Sequence, residues 1–298
     1  MIARVVGSDL ALPTALSETL TLVLLLAIGL KGGAELSKQA DADVLLGVVA
    51  VVTMGIALTF TSFATLKLVV KLPRVDAAAV AAHYGSVSVG TFAVATATYA
   101  SVGAVVEPAL SLYVVVLEAP AIVVGVLLAR SVSGNGNLRS SILEILRGKS
   151  LVLLLGGAAI GVIAGPEGIA PIAPLFVGGF RAVLALFLLD MGLVCGARLG
   201  ALRTYGPRLV AFAVVAPIAH GVLGILVGDW LGLGVGGAAM MGVLAASASY
   251  IAVPAAMRAA VPEHNPTLSL AASLGVTFPF NVVVGIPLYL TLARHLVG

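Results

Sequence analysis

Tyr84-Gly-Ser-Val-Ser-Val-Gly-Thr91 sits midway along an apolar stretch, and Ala245-Ala-Ser-Ala-Ser-Tyr250 repeats its serine spacing 161 residues later. Side-chain hydroxyls are costly in hydrocarbon unless they face protein, water or a ligand. Ser86 follows Asp76 by ten residues, which is about 15 Å of helix and close to the middle of a bilayer. Gly85 and Gly90 flank the first pair of serines, and Pro254 follows the second, so both segments have the means to leave the helical ladder. Opened backbone at that depth is tolerated only against protein or a water-filled cavity. A single pair reads better as hydroxyls bonding back to the preceding turn or across to a neighbouring helix. Two pairs in register point to a polar site where two halves of the chain meet, the plan of a secondary transporter.

The surrounding composition sets the solvent. Of 298 residues, 60% are hydrophobic and only 10% charged, and the mean hydropathy is +1.17. A soluble chain of this length would lack the polar residues to cover its surface. The apolar runs approach 20 residues, the length of membrane helices rather than of barrel strands. Thirty-five glycines and 14 prolines suit closely packed, locally broken membrane helices. The net charge of +3 is not a nucleic-acid footprint, because the cations fall at the ends of apolar runs. Cys195 is the single cysteine, which excludes an intrachain disulfide and a cysteine metal cluster. No cleavable signal peptide is evident, since the first apolar run begins after Asp9 and continues as a full span.

Charges and turn residues bound nine predicted spans, at 12–34, 43–66, 76–101, 107–130, 150–165, 172–197, 207–228, 234–257 and 266–294. Ser131–Lys149 is a polar linker, expected to be flexible at Gly134-Asn-Gly-Asn137. Lys67, Lys71 and Arg74 fall on the same side as Arg130, Arg139, Arg147 and Lys149, then Arg198, Arg203, Arg208 and Arg258. The alternate connections carry almost no positive charge. The positive-inside rule then puts the linker in the cytoplasm of a multi-pass inner-membrane protein, with the C-terminus outside.

The halves repeat in order. Gly29-Leu-Lys-Gly-Gly-Ala-Glu-Leu36 matches Gly192-Leu-Val-Cys-Gly-Ala-Arg-Leu199, Ser86-x-Ser88 matches Ser247-x-Ser249, and Glu107-Pro-Ala-Leu-Ser-Leu112 matches Asn265-Pro-Thr-Leu-Ser-Leu270. Five spans separate each equivalent pair, an odd number, so the expected fold is an all-α integral membrane protein of two inverted repeats. Residues 1–130 form the first repeat (spans one to four), 131–149 the linker, and 150–298 the second repeat (spans five to nine). The two serine segments are then two crossing, locally broken helices. Gly29-x-x-x-Gly33 and Gly192-x-x-x-Gly196 read as helix-contact faces.

Ionisable groups inside spans are functional candidates by default. Glu118, in Leu117-Glu-Ala-Pro120, lies mid-span as a cation ligand or proton carrier. Asp190 also lies inside its span, away from either end; either acid is also a candidate counter-ion for Lys31. His220 reads as a structural histidine seeking a hydrogen-bond partner, and His83 neighbours the first serine pair. No metal-ligand spacing, phosphate loop or paired nucleophile and base is found, so no cofactor is expected and an enzyme is disfavoured.

Six segments in order carry a resemblance: Ile28-Gly-Leu-Lys-Gly-Gly33, Gly85-Ser-Val-Ser-Val-Gly-Thr91, Ala173-Pro-Leu-Phe176, Ala216-Pro-Ile-Ala-His-Gly221, Ala245-Ala-Ser-Ala-Ser249 and Ile286-Pro-Leu288. The chain resembles the SbtA-type sodium-dependent bicarbonate transporters. The resemblance implies a ten-helix, five-plus-five inverted repeat holding bicarbonate and sodium where two broken helices meet. It implies substrate binding by Gly85, Ser86, Ser88, Thr91, Ser247 and Ser249, with Tyr250 beside them, and a sodium site drawing on Ser86, Ser247 and Glu118. Glu118 stands where the family typically has aspartate. The resemblance also implies a homotrimer in membrane lipid, regulated at its cytoplasmic face by a PII-like protein, with no nucleic acid.

Three departures accompany it. The family's opening helix has no counterpart, Met1–Val6 corresponding only to its end. Tyr250 stands where the family motif continues Ser-Asp. Lys31 and Asp190 replace residues that are usually uncharged, which makes them, with His220, candidate structural or coupling charges. The expected function is sodium-coupled bicarbonate uptake by alternating access. The alternatives are a proton- or sodium-coupled carrier of another small monovalent anion or carboxylate, and a non-transporting membrane sensor or scaffold.

Overall fold

A computed structural model describes residues 9–37, 42–130 and 147–297 of the chain. Met1–Val6 and residues 131–146 of the linker lie outside the described residues. Every regular element in the described residues is helical. We label them α1 (Thr14–Leu36), α2 (Ala42–Thr65, prolonged by a π-helical turn over Leu66–Val70), α3 (Arg74–Gly85), α4 (Val89–Ser101), α5 (Ala109–Arg130), α6 (Lys149–Ile169), α7 (Phe180–Trp230), α8 (Val235–Ala246), α9 (Ala252–Ala260) and α10 (Pro266–Leu296). Lengths above 20 residues match the thickness of a bilayer, and apolar side chains on nearly all faces are what hydrocarbon solvent demands.

Seven helices among the described residues are long and apolar enough to cross a membrane, against the nine predicted spans. The shortfall falls at two places. The predicted eighth span is interrupted, so α8 and α9 have only 12 and 9 residues. The predicted sixth and seventh spans both fall in α7, which is two helices meeting at a kink at Gly206, φ 79° and ψ 164°, just before Pro207; of the two, only Gly206–Trp230 is among the seven. A left-handed φ is open to glycine at little cost, and proline cannot continue the preceding ladder. The predicted turn at Gly165-Pro-Glu-Gly168 has the same chemistry, with Gly165 at φ 62° inside α6.

The first small-residue face has an observed partner. A Cβ on Gly29 would lie 2.6 Å from the Leu154 carbonyl, and one on Gly33 would enter the backbone of Ala158. Gly157 and Gly161 of α6 approach α1 in return, through the carbonyls of Leu26 and Leu30. Small residues on both sides let the two backbones touch, which is how membrane helices gain dispersion energy without a hydrophobic drive. In the second face, Cys195 lies between Gly192 and Gly196, and its thiol donates to the Leu274 carbonyl of α10 at 2.9 Å.

The core is centred on α3, α4 and α8, whose side chains are almost entirely buried. Around them the outward faces of α2, α6 and α7 carry exposed Leu45, Phe60, Ile163, Leu189 and Val215, the inverse of a soluble surface and the signature of a lipid-facing wall. Helix α5 serves as a ruler through this core. At its start Glu107 meets the beginning of α8, its Oε1 accepting from the Gly234 amide at 2.7 Å. At its other end, the Leu128 carbonyl accepts from Arg74 Nε of α3 at 3.0 Å. Helices α3 and α8 therefore enter the core from opposite ends and run toward each other.

Candidate functional site

Both entering helices stop in mid-core at a serine. Helix α3 ends at Ser86, whose φ −93° and ψ −177° are extended, and α4 restarts after Ser88. Helix α8 ends at Ser247, also extended at φ −79° and ψ 157°, and α9 restarts after Ile251. The predicted breaks are thus present in both segments. Each leaves carbonyls unpaired at a helix C-terminus and amides unpaired at a helix N-terminus, so each break carries both signs of partial charge.

The two breaks are joined to each other. The Ser88 amide donates to Ser247 Oγ at 2.9 Å, and Ser247 Oγ donates onward to the Leu244 carbonyl at 2.9 Å. The Ser249 amide donates to the His83 carbonyl at 2.9 Å, while His83 Nδ1 contacts the Ser249 carbonyl. Ser88 Oγ also caps α4, accepting from the Thr91 amide at 3.1 Å and from Thr91 Oγ1 at 2.9 Å. A serine N-cap and a serine that bridges two chains are structural parts. Ser88, Thr91 and Ser247 therefore hold the crossing together.

Ser86 and Ser249 are held loosely. Ser86 Oγ reaches the Glu118 main-chain carbonyl only at 3.5 Å, and Ser249 Oγ meets the Val253 amide at the same distance. Contacts that long are weak. Both residues are 2% exposed, so each presents a buried hydroxyl with bonding capacity to spare. Tyr250 completes the group. Its ring packs edge-on to Phe278 with centroids 5.1 Å apart, and its hydroxyl lies near Ser88 and directly over Gly90. That hydroxyl is buried and, among the described residues, makes no well-formed hydrogen bond, Ser88 being a near polar neighbour. Any side chain at Gly90 would strike it, and would come within 2.7 Å of the Phe187 ring. Gly85 is likewise pressed against Thr59 of α2.

Polar groups that sequence reasoning passed over fix the surroundings. Asn281 Nδ2 donates to the Ala246 carbonyl at 2.8 Å, capping α8 at the break, and its Oδ1 accepts from Tyr289 at 3.0 Å. Tyr84 and Thr277 pair through their hydroxyls at 2.6 Å, and Thr277 donates to the Ala213 carbonyl at 2.7 Å. An asparagine inside an apolar run was the available signal for the first of these.

The ionisable candidates separate. Glu118, 2% exposed, has Oε2 without a partner among the described residues and lines a cavity of about 530 Å³ that also touches Ile251 and Ala252 at the second break. Asp190, 4% exposed, lines the same cavity, with Oδ2 unpartnered. The expectation that Lys31 neutralises one of these acids fails: Lys31 is exposed, and among the described residues no ion pair joins it to either. A solvent-facing ammonium keeps its hydration instead of taking a buried partner. His220 is buried with Nδ1 unpartnered and does not line the cavity. Among the described residues no cluster of histidine, cysteine and carboxylate suits a metal ion.

A family model for the Na+-dependent bicarbonate transporter superfamily matches residues 1–294. The chain belongs to that superfamily. The match runs through both breaks and through the segments on either side of the linker. Membership accords with an apolar, multi-pass chain and makes bicarbonate and sodium the ligands against which the site is read. No curated protein matches the chain.

Proposed function

We propose that this protein is a secondary transporter that couples sodium to the inward movement of bicarbonate by alternating access at the crossing of the two broken helices. The observation that carries the reading is the junction itself. Two helix N-termini, α4 and α9, and two helix C-termini, α3 and α8, meet in one buried place, linked by Ser88 and Ser247. Bicarbonate is drawn to the free amides at the starts of α4 and α9, where the helix dipoles are positive. Ser86, Ser249 and Tyr250 are the hydroxyls available to bind it. Sodium takes the Glu118 carboxylate with the Ser86 and Ser247 oxygens, and its charge offsets that of the anion.

Inverted repeats over 1–130 and 150–298 supply the motion, one bundle rocking against the other. A reciprocal pair of contacts supports this. Glu107 meets the start of α8, and at the equivalent place the Asn265 amide donates to Asp76 of α3 at 2.8 Å. The sequence matches Glu107 to Asn265, so the same contact is made twice, with the carboxylate on opposite partners. In this reading the linker and the N-terminal side of α1 face the cytoplasm, and the C-terminus faces outward. A homotrimer in inner-membrane lipid and a PII-like cytoplasmic regulator complete the proposal.

The test is counterflow of labelled bicarbonate in proteoliposomes with and without sodium. Sodium-dependent exchange is expected. Equal exchange without sodium removes the coupling, and melting stabilised by bicarbonate without any flux identifies a sensor instead. Tyr250 favours a second reading, a carrier of another small monovalent anion or carboxylate, because a phenol over Gly90 reshapes the pocket. Competition by formate, acetate and nitrate separates the two.

A further inference from the structure

The junction leaves Asp190 unexplained. It lies on α7, one helical turn beyond Phe187, whose ring faces Gly90 at the first break. It is 4% exposed, and its Oδ2 is unpartnered. An ionised carboxylate in such a place is destabilising by several kcal/mol unless something positive accompanies it. Among the described residues no ion pair includes Asp190, although Lys149 and Arg258 line the same cavity. The same cavity is lined by Ser17 and Thr21 of α1. The Thr21 hydroxyl donates its proton to the Ser17 carbonyl at 3.0 Å, which leaves its oxygen lone pairs for an acceptor role. The cavity passes from the exposed Glu18–Lys149 pair, 4.0 Å apart, to Glu118.

We propose that Asp190, with the Thr21 and Ser17 oxygens, forms a second sodium-binding station in this cavity, separate from the sodium site at the crossing. A carboxylate and neutral oxygens are the donor set a hard monovalent cation takes. The station holds sodium between the mouth and Glu118, so that charge enters or leaves in two steps. This rests on the sodium-coupled reading above.

The experiment measures equilibrium binding of radioactive sodium to the purified full-length protein without bicarbonate, for wild type, Asp190→Asn, Asp190→Glu and Glu118→Gln. Wild type is expected to bind two sodium ions per chain and Asp190→Asn one, while Asp190→Glu keeps two. Glu118→Gln is expected to retain the ion at Asp190. Thr21→Val guards against misfolding of Asp190→Asn; it is expected to weaken one of the two sodium affinities at least threefold. Unchanged sodium stoichiometry and affinity in both Asp190→Asn and Thr21→Val overturns the station and leaves the crossing intact. No sodium binding by wild type overturns both.

Discussion

The Ser88 amide donates to the Ser247 hydroxyl at 2.9 Å, joining residues 159 apart in the chain. Ser88 belongs to the first broken helix and Ser247 to the second, so this bond, with the His83–Ser249 contacts, ties the two breaks. Four serines that look equivalent in sequence thereby divide into two that build the crossing and two that face it loosely.

Ser247→Ala should lower stability. It leaves the buried Ser88 amide without its acceptor, which costs about 1–3 kcal/mol. Ser88→Ala removes the α4 cap and costs about 1 kcal/mol. A thermal melt of the purified protein in detergent should show both as clear drops, the larger for Ser247→Ala. Melting unchanged in both would mean that the crossing is held by other contacts.

Ser86→Ala and Ser249→Ala should do the reverse. Their 3.5 Å contacts contribute little to the fold, so melting should stay close to wild type. Bicarbonate flux should fall at least tenfold in each, since a donor to the anion is lost. Full flux in both would remove these hydroxyls from the site.

Tyr250→Phe deletes a buried hydroxyl that makes no well-formed hydrogen bond among the described residues. The fold should be unharmed or slightly stabilised, because the desolvation of an unpaired polar group disappears. If the phenol donates to the anion, the bicarbonate KM should rise about tenfold, equivalent to roughly 1.4 kcal/mol. A lower KM would instead identify the hydroxyl as an obstruction.

Gly90→Ala places a methyl group against the Tyr250 hydroxyl and the Phe187 ring. Overpacking of this kind costs about 1–3 kcal/mol. Flux should be lost, and the double variant Gly90→Ala with Tyr250→Phe should recover part of it by removing one of the two clashing groups. No recovery would place the obstruction at Phe187 alone.

Composition and spacing alone established much of this protein. An excess of apolar residues required a membrane, and the paired serines with flanking glycine and proline marked where helices had to stop. Both follow from local chemistry: hydrocarbon rejects unpaired polar groups, and glycine and proline disturb the helical ladder wherever they stand. The span count was less secure, because the segment at α8 and α9 is apolar throughout yet folds as two short pieces. Which serine holds the fold and which stays available was decided only by tertiary structure. So were the meeting of Glu118 and Asp190 on one cavity, the exposure of Lys31, and the Asn281 cap on α8. These depend on distances between residues far apart in the chain, and a periodicity carries no record of which side chain arrives within 3 Å of which carbonyl.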